Sequence, residues 1–256
     1  MNFDHGLRRQ AIVEAVLTDV FAGRLRSGQH LVTRELAVRF GVSDTPIREA
    51  LVALAGIGVI ELLPNRGAVV RTVTSKDVRD ICQVRRALEC EAVRLACGRI
   101  TAEELSTLAE ELRGLKSLGG EANVRFAEKA RQTDSRLHDL IMTACGNMYL
   151  AGDLNRFKLM YRAFRDLNYT RDEVRNDRRR LVEEADEHLA IVEAIAAGNR
   201  RAAVKAMWHH VNAGGKYWCR AINRMNRAAE KKAKTGAMDA SIPNDTSLSS
   251  DAPAAK

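Results

Sequence analysis

The stretch GVSDTPIREALVAL, residues 41–54, combines the residues of a tight turn with a helical pattern. Gly41 allows a tight turn, Ser43 and Asp44 are residue types that favour a helix N-terminus, and Pro46 fits the first turn. Apolar residues then recur at helical spacing and predict one buried face, formed by Ile47, Ala50, Leu51 and Leu54. The stretch therefore predicts a turn followed by an amphipathic helix.

The other side of this predicted helix carries groups that can read DNA. Arg48 lies off the apolar stripe, and Ser43 and Thr45 stand at the N-terminal end. An arginine pairs with a guanine edge or a phosphate, and small hydroxyl groups bond to phosphates or bases. We therefore predict a recognition helix that enters the major groove of DNA.

Two further helices are predicted before the recognition helix. Apolar residues follow a helical period over residues 6–22 and stop before Gly23. A second helix is predicted over residues 34–40, with Thr33 as its N-cap. With the turn at Gly41, this spacing is typical of a helix-turn-helix.

A β-hairpin is predicted directly after the recognition helix. Residues 59–63 and 68–73 have the composition of two short strands, and Pro64, Arg66 and Gly67 lie in the tip between them. A hairpin in this position is a wing. Arg66 and Gly67 suit a contact with the minor groove or the DNA backbone, because glycine allows close approach. An ordinary surface hairpin is the alternative.

From Ser75 onward the pattern is helical throughout. It predicts six helices, over residues 75–97, 101–118, 123–145, 148–167, 172–197 and 200–220 or slightly beyond. No strand pattern interrupts them, so we predict an all-α antiparallel bundle. The fold class is therefore mainly α. It consists of a winged helix-turn-helix domain over 1–73, an all-helical domain over 74–222, and a disordered tail over 223–256.

The composition supports two domains, but it is weak evidence for DNA binding. The chain has 256 residues, of which 46% are apolar, and this is enough for two modest cores. Its net charge is +8, but residues 1–72 carry nine basic and seven acidic side chains, whereas 220–236 carry six and one. The recognition helix is therefore better support for DNA binding than the total charge.

The cysteines and the absence of a long apolar run indicate the compartment. Five cysteines without a CxxC pair favour free thiols in a reducing cytosol. Cys82, Cys90 and Cys97 fall near one helix face, and we favour packing over a redox sensor. Neither a signal sequence nor a run of membrane length is present, so we expect a soluble cytoplasmic protein.

Four residues of the helical half are candidates for metal binding. Asp134 and His138 are four residues apart, so their side chains emerge on one helix face. His188 and His210 fall on the apolar faces of two further helices, whereas His209 is turned away by about 100°. Three imidazoles and one carboxylate suit Zn²⁺, Ni²⁺, Mn²⁺ or Fe²⁺, with an open position for an acidic ligand. Hydrogen-bonded core histidines are the alternative.

Together these motifs resemble a known family. GVSDTPIREAL, the later NRGAVV, RRALE, the Asp134 and His138 pair, CGN and the two later histidines are similar to the FadR-like branch of the GntR family of bacterial transcription regulators. The resemblance spans residues 7–220. It implies a winged helix-turn-helix joined to an all-helical FCD effector domain, acting as a homodimer on an operator with two-fold symmetry.

The resemblance also implies site residues in the N-terminal half. By position, the DNA contacts are Arg34, Ser43, Asp44, Thr45, Arg48, Arg66 and Gly67. Many members have arginine in place of Asp44, and an aspartate can accept from a cytosine amino group but cannot pair with guanine or phosphate. The usual operator preference is therefore not expected for this chain.

Further site residues are implied in the helical half. Metal-binding members of the branch use an aspartate and three histidines, which correspond to Asp134, His138, His188 and His210. Arg85 corresponds to a position that commonly lines the effector pocket and would bind a carboxylate. An ion pair with Glu89 at the helix surface is the alternative role for Arg85.

We interpret the chain as a ligand-responsive transcription regulator, and a repressor in particular, without enzymatic activity. The effector would be a small organic or sugar acid that binds the metal and Arg85 and changes the geometry of the dimer. A metal-dependent hydrolase or lyase is one alternative, for which Glu184 is a weak candidate for the general base. A structural metal or a direct metal sensor is another.

Overall fold

A computed structural model describes residues 3–64, 66–117, 124–167 and 173–239 of the chain. The first part comprises α1 (Phe3–Phe21), β1 (His30–Leu31), α2 (Thr33–Phe40), α3 (Asp44–Ile57), β2 (Ile60–Leu63) and β3 (Gly67–Val70). The strands form one antiparallel sheet in the order β1-β3-β2, with Leu63 opposite Gly67 at the start of the hairpin. This is the predicted winged helix-turn-helix, with an additional strand, β1, that is too short to leave a pattern in the sequence.

The core of this part consists of the apolar faces predicted for α1 and α3. Ile47 and Leu54 of α3 are completely buried, as are Val16 and Leu17 of α1. Burying an apolar side chain of this size stabilises a fold by about 1.5–3 kcal/mol. The packing on α1 fixes which side of α3 faces solvent, so the polar side predicted to read DNA lies outward.

The N-terminal ends of α3 and α2 differ in detail from the prediction. Ser43 occupies the N-cap position of α3 in an extended conformation, but its side chain does not cap the helix. Thr33 is the first residue of α2, and Val32 occupies the N-cap position. The prediction that Thr33 caps α2 is therefore wrong, because β1 ends at Leu31 and leaves one residue before the helix begins.

The second part is an all-α bundle, as predicted. It comprises α4 (Ser75–Ala96), α5 (Ala102–Ser117), α6 (Val124–Ala144), α7 (Met148–Leu167), α8 (Glu173–Ala196) and α9 (Arg200–Asp239). Thr74 and Asp77 form a reciprocal capping box at α4, and Thr101 and Glu104 exchange the same backbone contacts before α5. Within the described ranges, no helix is long and apolar enough to cross a membrane.

The last helix differs most from its prediction. The pattern predicts an end near Arg220, but α9 continues to Asp239. Residues 223–239 are therefore helical rather than disordered, and 240–256 lie outside the described residues. Alanine, arginine, lysine and methionine dominate this extension and favour helix without any apolar period. Asn226 also donates from Nδ2 to the carbonyl oxygen of Val73 at 3.0 Å, which holds the helix against the segment before α4.

The long helices α4 and α9 pack antiparallel along most of α4. Cys82 faces Gly215, where an added Cβ would lie 2.9 Å from Sγ, so only glycine allows this close approach. Burial raises the pKa of Cys82 and Cys97, and raises the pKa of Cys90 to about 11. A raised pKa disfavours the reactive thiolate, which supports a packing role for these cysteines rather than a redox one.

α7 joins the bundle to the N-terminal winged helix-turn-helix. It packs against α1 and α3 on one side and against α4 and α6 on the other. Arg156 of α7 donates from Nη2 to the carbonyl oxygen of Gly56 at 3.0 Å, one residue before the last residue of α3. The C-terminal end of the recognition helix is thus bonded directly to a helix of the bundle.

A buried carboxylate holds α1 and α2 together. Asp19 is 4% exposed and accepts hydrogen bonds from Arg39 of α2 and from Nε of Arg24 at 2.6 Å. Burial acts to raise the pKa of Asp19, but the hydrogen bonds and charges of Arg39 and Arg24 outweigh it and lower the pKa below 3.8. The ionised form of Asp19 is therefore stabilised by folding.

We predict that Asp19→Asn lowers the free energy of unfolding by about 1.5–3 kcal/mol at pH 7, because two charge-assisted hydrogen bonds weaken. The contribution of Asp19 is fully present above the unfolded pKa and is lost as pH falls towards the lower folded pKa. Urea unfolding of the wild type and the variant should therefore converge below pH 3.8. Asp80→Asn, which removes an exposed pair with Lys76, is the control and should change the free energy by less than about 1 kcal/mol. Equal effects of the two substitutions would contradict the prediction.

Candidate metal centre

The four predicted metal ligands come together at one point in the bundle. Asp134 and His138 lie on α6, His188 on α8 and His210 on α9. One potential ligand atom from each residue lies within 4.8 Å of the other three. The ring centroids of His188 and His210 are 4.4 Å apart, and that of His138 is 5.6 Å and 5.3 Å from them. Three separate helices therefore contribute to one cluster.

The spacing inside the cluster suits a metal ion better than direct hydrogen bonds. Oδ1 of Asp134 lies 3.6 Å from Nε2 of His138 and 3.4 Å from Nε2 of His188. Two ligands bound at about 2.1 Å around a tetrahedral ion would lie about 3.4 Å apart. Within the described part of the chain, the buried Nε2 of His138 has no hydrogen-bond partner. These residues fit a divalent metal.

Glu89 orients His138 from the outer side of the cluster. Its Oε2 lies 3.1 Å from Nδ1 of His138, while Nε and Nη2 of Arg85 both lie 2.8 Å from Oε1. Burial acts to raise the pKa of Glu89, but Arg85 and then His138 lower it well below its usual range. At this distance an ionised Glu89 can accept the Nδ1 proton, which would leave Nε2 of His138 with a lone pair directed at the cluster.

Glu187 orients His210 in the same way. Its Oε2 lies 2.9 Å from Nδ1 of His210, and its two oxygens accept from Arg180 at 2.6 Å and 2.9 Å. Burial acts to raise the pKa of Glu187, but the hydrogen bonds from His210 and Arg180, and then their charges, lower it. The sequence pattern does not identify Glu187, because its partner His210 lies on another helix. A search for a carboxylate partner for each inward histidine is the signal that could have found it.

A second buried glutamate lies beside the cluster. Burial, and then the negative charge of Asp134, raise the pKa of Glu184. Its carboxylate lies 3.8 Å from Arg180. This places the candidate general base at the edge of the centre, in a setting that favours its neutral form, which cannot accept a proton.

A cavity of about 40 Å³ opens beside the centre. Its wall includes Arg85, Glu89, Asp134, Ser135, His138, Lys158 and several apolar side chains. Arg85 therefore lines a cavity, and its role as an effector ligand stays a prediction. The alternative ion pair with Glu89 is also present, but it is buried rather than at the helix surface.

Lys158 is a cation of this cavity that the sequence analysis did not identify. It lies on α7, is 18% exposed, and forms an ion pair with Asp139. Lys158 is part of no apolar repeat or motif in the sequence. Only the packing of α7 against α6 shows that it lies at the cavity wall. The cavity therefore has one basic side chain on α4 and another on α7.

The predicted DNA-contacting residues lie in the N-terminal part of the chain. Exposed side chains are found at Arg34, Ser43, Asp44, Thr45, Arg48 and Arg66. Asp44 lies 3.9 Å from Arg48, so the aspartate partly offsets the charge of that arginine. Gly67 has a φ of +82°, and an added Cβ would lie 2.2 Å from the carbonyl oxygen of Leu31. The wing therefore needs glycine at this position whether or not DNA is bound.

Proteins with similar sequences are described as transcription regulators. The HTH-type regulator YdhC of Bacillus subtilis is 28% identical over 195 residues, or 75% of this chain and 83% of that protein. The probable D-xylose utilization operon repressor of Paenarthrobacter nicotinovorans is 29% identical over 77% of this chain and 83% of that protein. The repressor RspR of Escherichia coli is 34% identical over 40% of this chain and 45% of that protein.

Solved structures and family models agree with the fold. McbR/YncC of Escherichia coli matches with a TM-score of 0.58 and 22% identity, covering 86% of this chain and 98% of that chain. A GntR regulator from Rhodococcus sp. RHA1 matches with a TM-score of 0.52 and 20% identity, covering 82% and 96%. The model described as "Bacterial regulatory proteins, gntR family" matches residues 8–70, and the FCD domain matches 80–213, more than half of the chain. The chain therefore belongs to the GntR family of bacterial regulatory proteins, with an FCD domain after its winged helix-turn-helix.

Proposed function

We propose that the protein is a ligand-responsive transcriptional repressor of the bacterial cytoplasm. In this proposal residues 1–73 bind DNA, and residues 74–222 bind the effector and join two copies into a homodimer. The observation that carries the proposal is the cluster of Asp134 and three histidines beside a cavity with two cationic side chains. The printed names of two relatives, both repressors, favour repression over activation.

The DNA-binding half of the proposal rests on α3 and the wing. Arg48 and Thr45 are exposed on the first turns of α3, where side chains of a recognition helix reach base edges. Arg34 at the start of α2 and Arg66 near the wing tip would contact phosphates or the minor groove. In a homodimer, two such helices enter successive major grooves, so the operator would have two-fold symmetry.

The effector half of the proposal rests on the chemistry of the cavity. When bound, a divalent ion at Asp134 and the three histidines supplies positive charge and an open position for an oxygen ligand. Zn²⁺, Ni²⁺, Mn²⁺ and Fe²⁺ all suit this donor set. Arg85 and Lys158 add two cations at the wall, so a small carboxylic or sugar acid is the favoured effector. Its carboxylate would compete with Glu89 for Arg85.

α7 provides a physical connection between effector and DNA. Lys158 lines the cavity, and Arg156, two residues earlier on the same helix, is bonded to Gly56 of α3. A carboxylate that draws Lys158 away from Asp139 would shift α7 and change the support of the recognition helix. The effector must bind one arrangement more tightly than the other, typically by about 1–3 kcal/mol, for DNA affinity to respond.

Two other functions use the same residues. A metal-dependent hydrolase or lyase needs a general base near the metal, but the raised pKa of Glu184 favours the neutral acid. A direct metal sensor, or a purely structural metal, needs no cationic cavity wall. The presence of Arg85 and Lys158 at the wall therefore favours a carboxylate-responsive regulator over each alternative.

The proposal is tested by electrophoretic mobility shift with a duplex that the purified protein selects from a random-sequence library. We expect one member of a panel of small carboxylic and sugar acids to change the affinity by about 5–150-fold, and only with divalent metal present. Metal alone changing the affinity would indicate a metal sensor. Turnover of an acid by metal-loaded protein would indicate an enzyme. Failure to select any duplex would overturn the DNA-binding function.

We predict that His188→Ala removes metal and effector response but leaves operator binding within a few-fold of the wild type, because the ligand set lies in the bundle. His209→Ala is the matched control, since His209 is exposed and adjacent to His210 but points away from the cluster. Metal content by plasma mass spectrometry and operator affinity by mobility shift check both variants. Loss of operator binding in His188→Ala, with an unchanged circular dichroism spectrum, would contradict a modular arrangement.

We predict that Glu187→Ala weakens metal binding by about 10–100-fold, because Nδ1 of His210 loses the acceptor that orients the ring. Glu187→Gln should restore part of the affinity, since its amide oxygen can still accept the proton. Glu183→Ala removes an exposed glutamate paired with Arg179 and serves as the control. Isothermal titration with Zn²⁺ measures all three variants, and equal affinity of Glu187→Ala and Glu183→Ala would refute the orienting role.

A further inference from the structure

The exposed face of the C-terminal half of α9 carries a continuous row of basic side chains. At about 100° per residue, five positions fall within an arc of about 80° on one side of the helix. They are Lys216, Arg220, Arg224, Arg227 and Lys231, and all five side chains are exposed. We refer to this set as the basic stripe. It spans about 22 Å along the helix axis, at 1.5 Å per residue.

The stripe lies at the end of the bundle that adjoins the DNA-reading part. α9 runs antiparallel to α4, so its C-terminal half passes the start of α4, where Sγ of Cys219 lies 3.5 Å from the carbonyl oxygen of Ser75. The hydrogen bond from Asn226 to Val73 then fixes α9 to the segment that follows β3. Beyond this contact the helix continues past the start of α4 for more than three turns.

We propose that the basic stripe is a second DNA-binding surface that contacts phosphates flanking the operator, in an inference that rests on the proposed operator binding. Five exposed cations in a row can neutralise several phosphates along a duplex. Arg224 and Arg227 are exposed, and neither pairs with an acidic group among the side chains that the structure describes. The stripe would add affinity without sequence preference.

The opposite face of the same segment argues against a membrane as the partner. Trp218, Ala221 and Ile222 are buried against the bundle, with exposures of 6%, 1% and 2%. A helix that lies in a membrane interface needs a large exposed apolar face. Among the described residues, no large apolar side chain between 216 and 231 is exposed. Phosphate contacts along a nucleic acid therefore suit the stripe better than lipid insertion.

The test uses a triple variant of the full chain, Arg220→Gln, Arg224→Gln and Arg227→Gln. Its matched control is Arg200→Gln, Arg201→Gln and Lys205→Gln, which removes the same charge from exposed positions at the other end of α9. The probe is the duplex selected from a random library by the wild-type protein, in a minimal form and in a form extended by about 7 bp on each side. This extension matches the length of the stripe at 3.4 Å per base pair.

We expect the wild type to bind the extended duplex more tightly than the minimal one, and the stripe variant to bind both equally. Each lost phosphate contact lowers the slope of log K against log salt by about 0.9, so the slope should fall by about 2.7. From 50 to 200 mM salt the wild type would thus lose about 40-fold more affinity than the stripe variant. The control variant should keep the wild-type slope.

Two results would overturn the proposal while leaving operator binding intact. One is an equal salt slope for the stripe variant and the control variant. The other is unchanged DNA affinity of the stripe variant combined with its loss of binding to phosphatidylserine vesicles. Arg48→Ala, which should weaken binding to minimal and extended duplexes alike, reports on the recognition helix separately. If the wild type selects no duplex at all, the operator function itself fails, and the stripe proposal fails with it.

Discussion

The bundle depends on how it compensates a cluster of buried polar side chains. Asp134, His188 and His210 are each less than 7% exposed, at the point where α6, α8 and α9 meet. A buried polar group without a partner costs about 1–3 kcal/mol, so such a cluster is expensive unless each group is bonded. Two arginine–glutamate pairs, one on α4 and one on α8, provide outer partners for two of the imidazoles. The same contacts tie four helices to one centre.

These outer partners also decide what the inner atoms can do. A glutamate that accepts the Nδ1 proton leaves Nε2 as a lone-pair donor, which is the form that binds a metal. Burial, and then the negative charge of Asp134, raise the pKa of the neighbouring Glu184. A divalent cation would balance this arrangement.

Local sequence patterns predicted the helices and the four polar side chains that face the interior of the bundle, but not the contacts between helices. The spacing of Asp134 and His138 fixes their common face, and the apolar neighbours of His188 indicate that it points inward. The contact of Glu187 with His210 joins residues on two helices and depends on the packing angle, which periodicity does not contain. The length of α9 was underestimated for a related reason, since its extension relies on helix propensity and one side-chain contact rather than an apolar stripe.

The connection between the two parts includes an exposed hydrogen bond. α7 packs against α1 and α3, and Arg156, whose side chain is 55% exposed, donates this bond to the end of α3. A hydrogen bond of this kind contributes about 0.5–1.5 kcal/mol, which is comparable with the 1–3 kcal/mol that typical allosteric coupling requires. A buried network at this position would need more energy than a small acid can supply by preferring one arrangement. An exposed hydrogen bond at the end of α3 therefore suits a regulator whose recognition helix must change its position repeatedly.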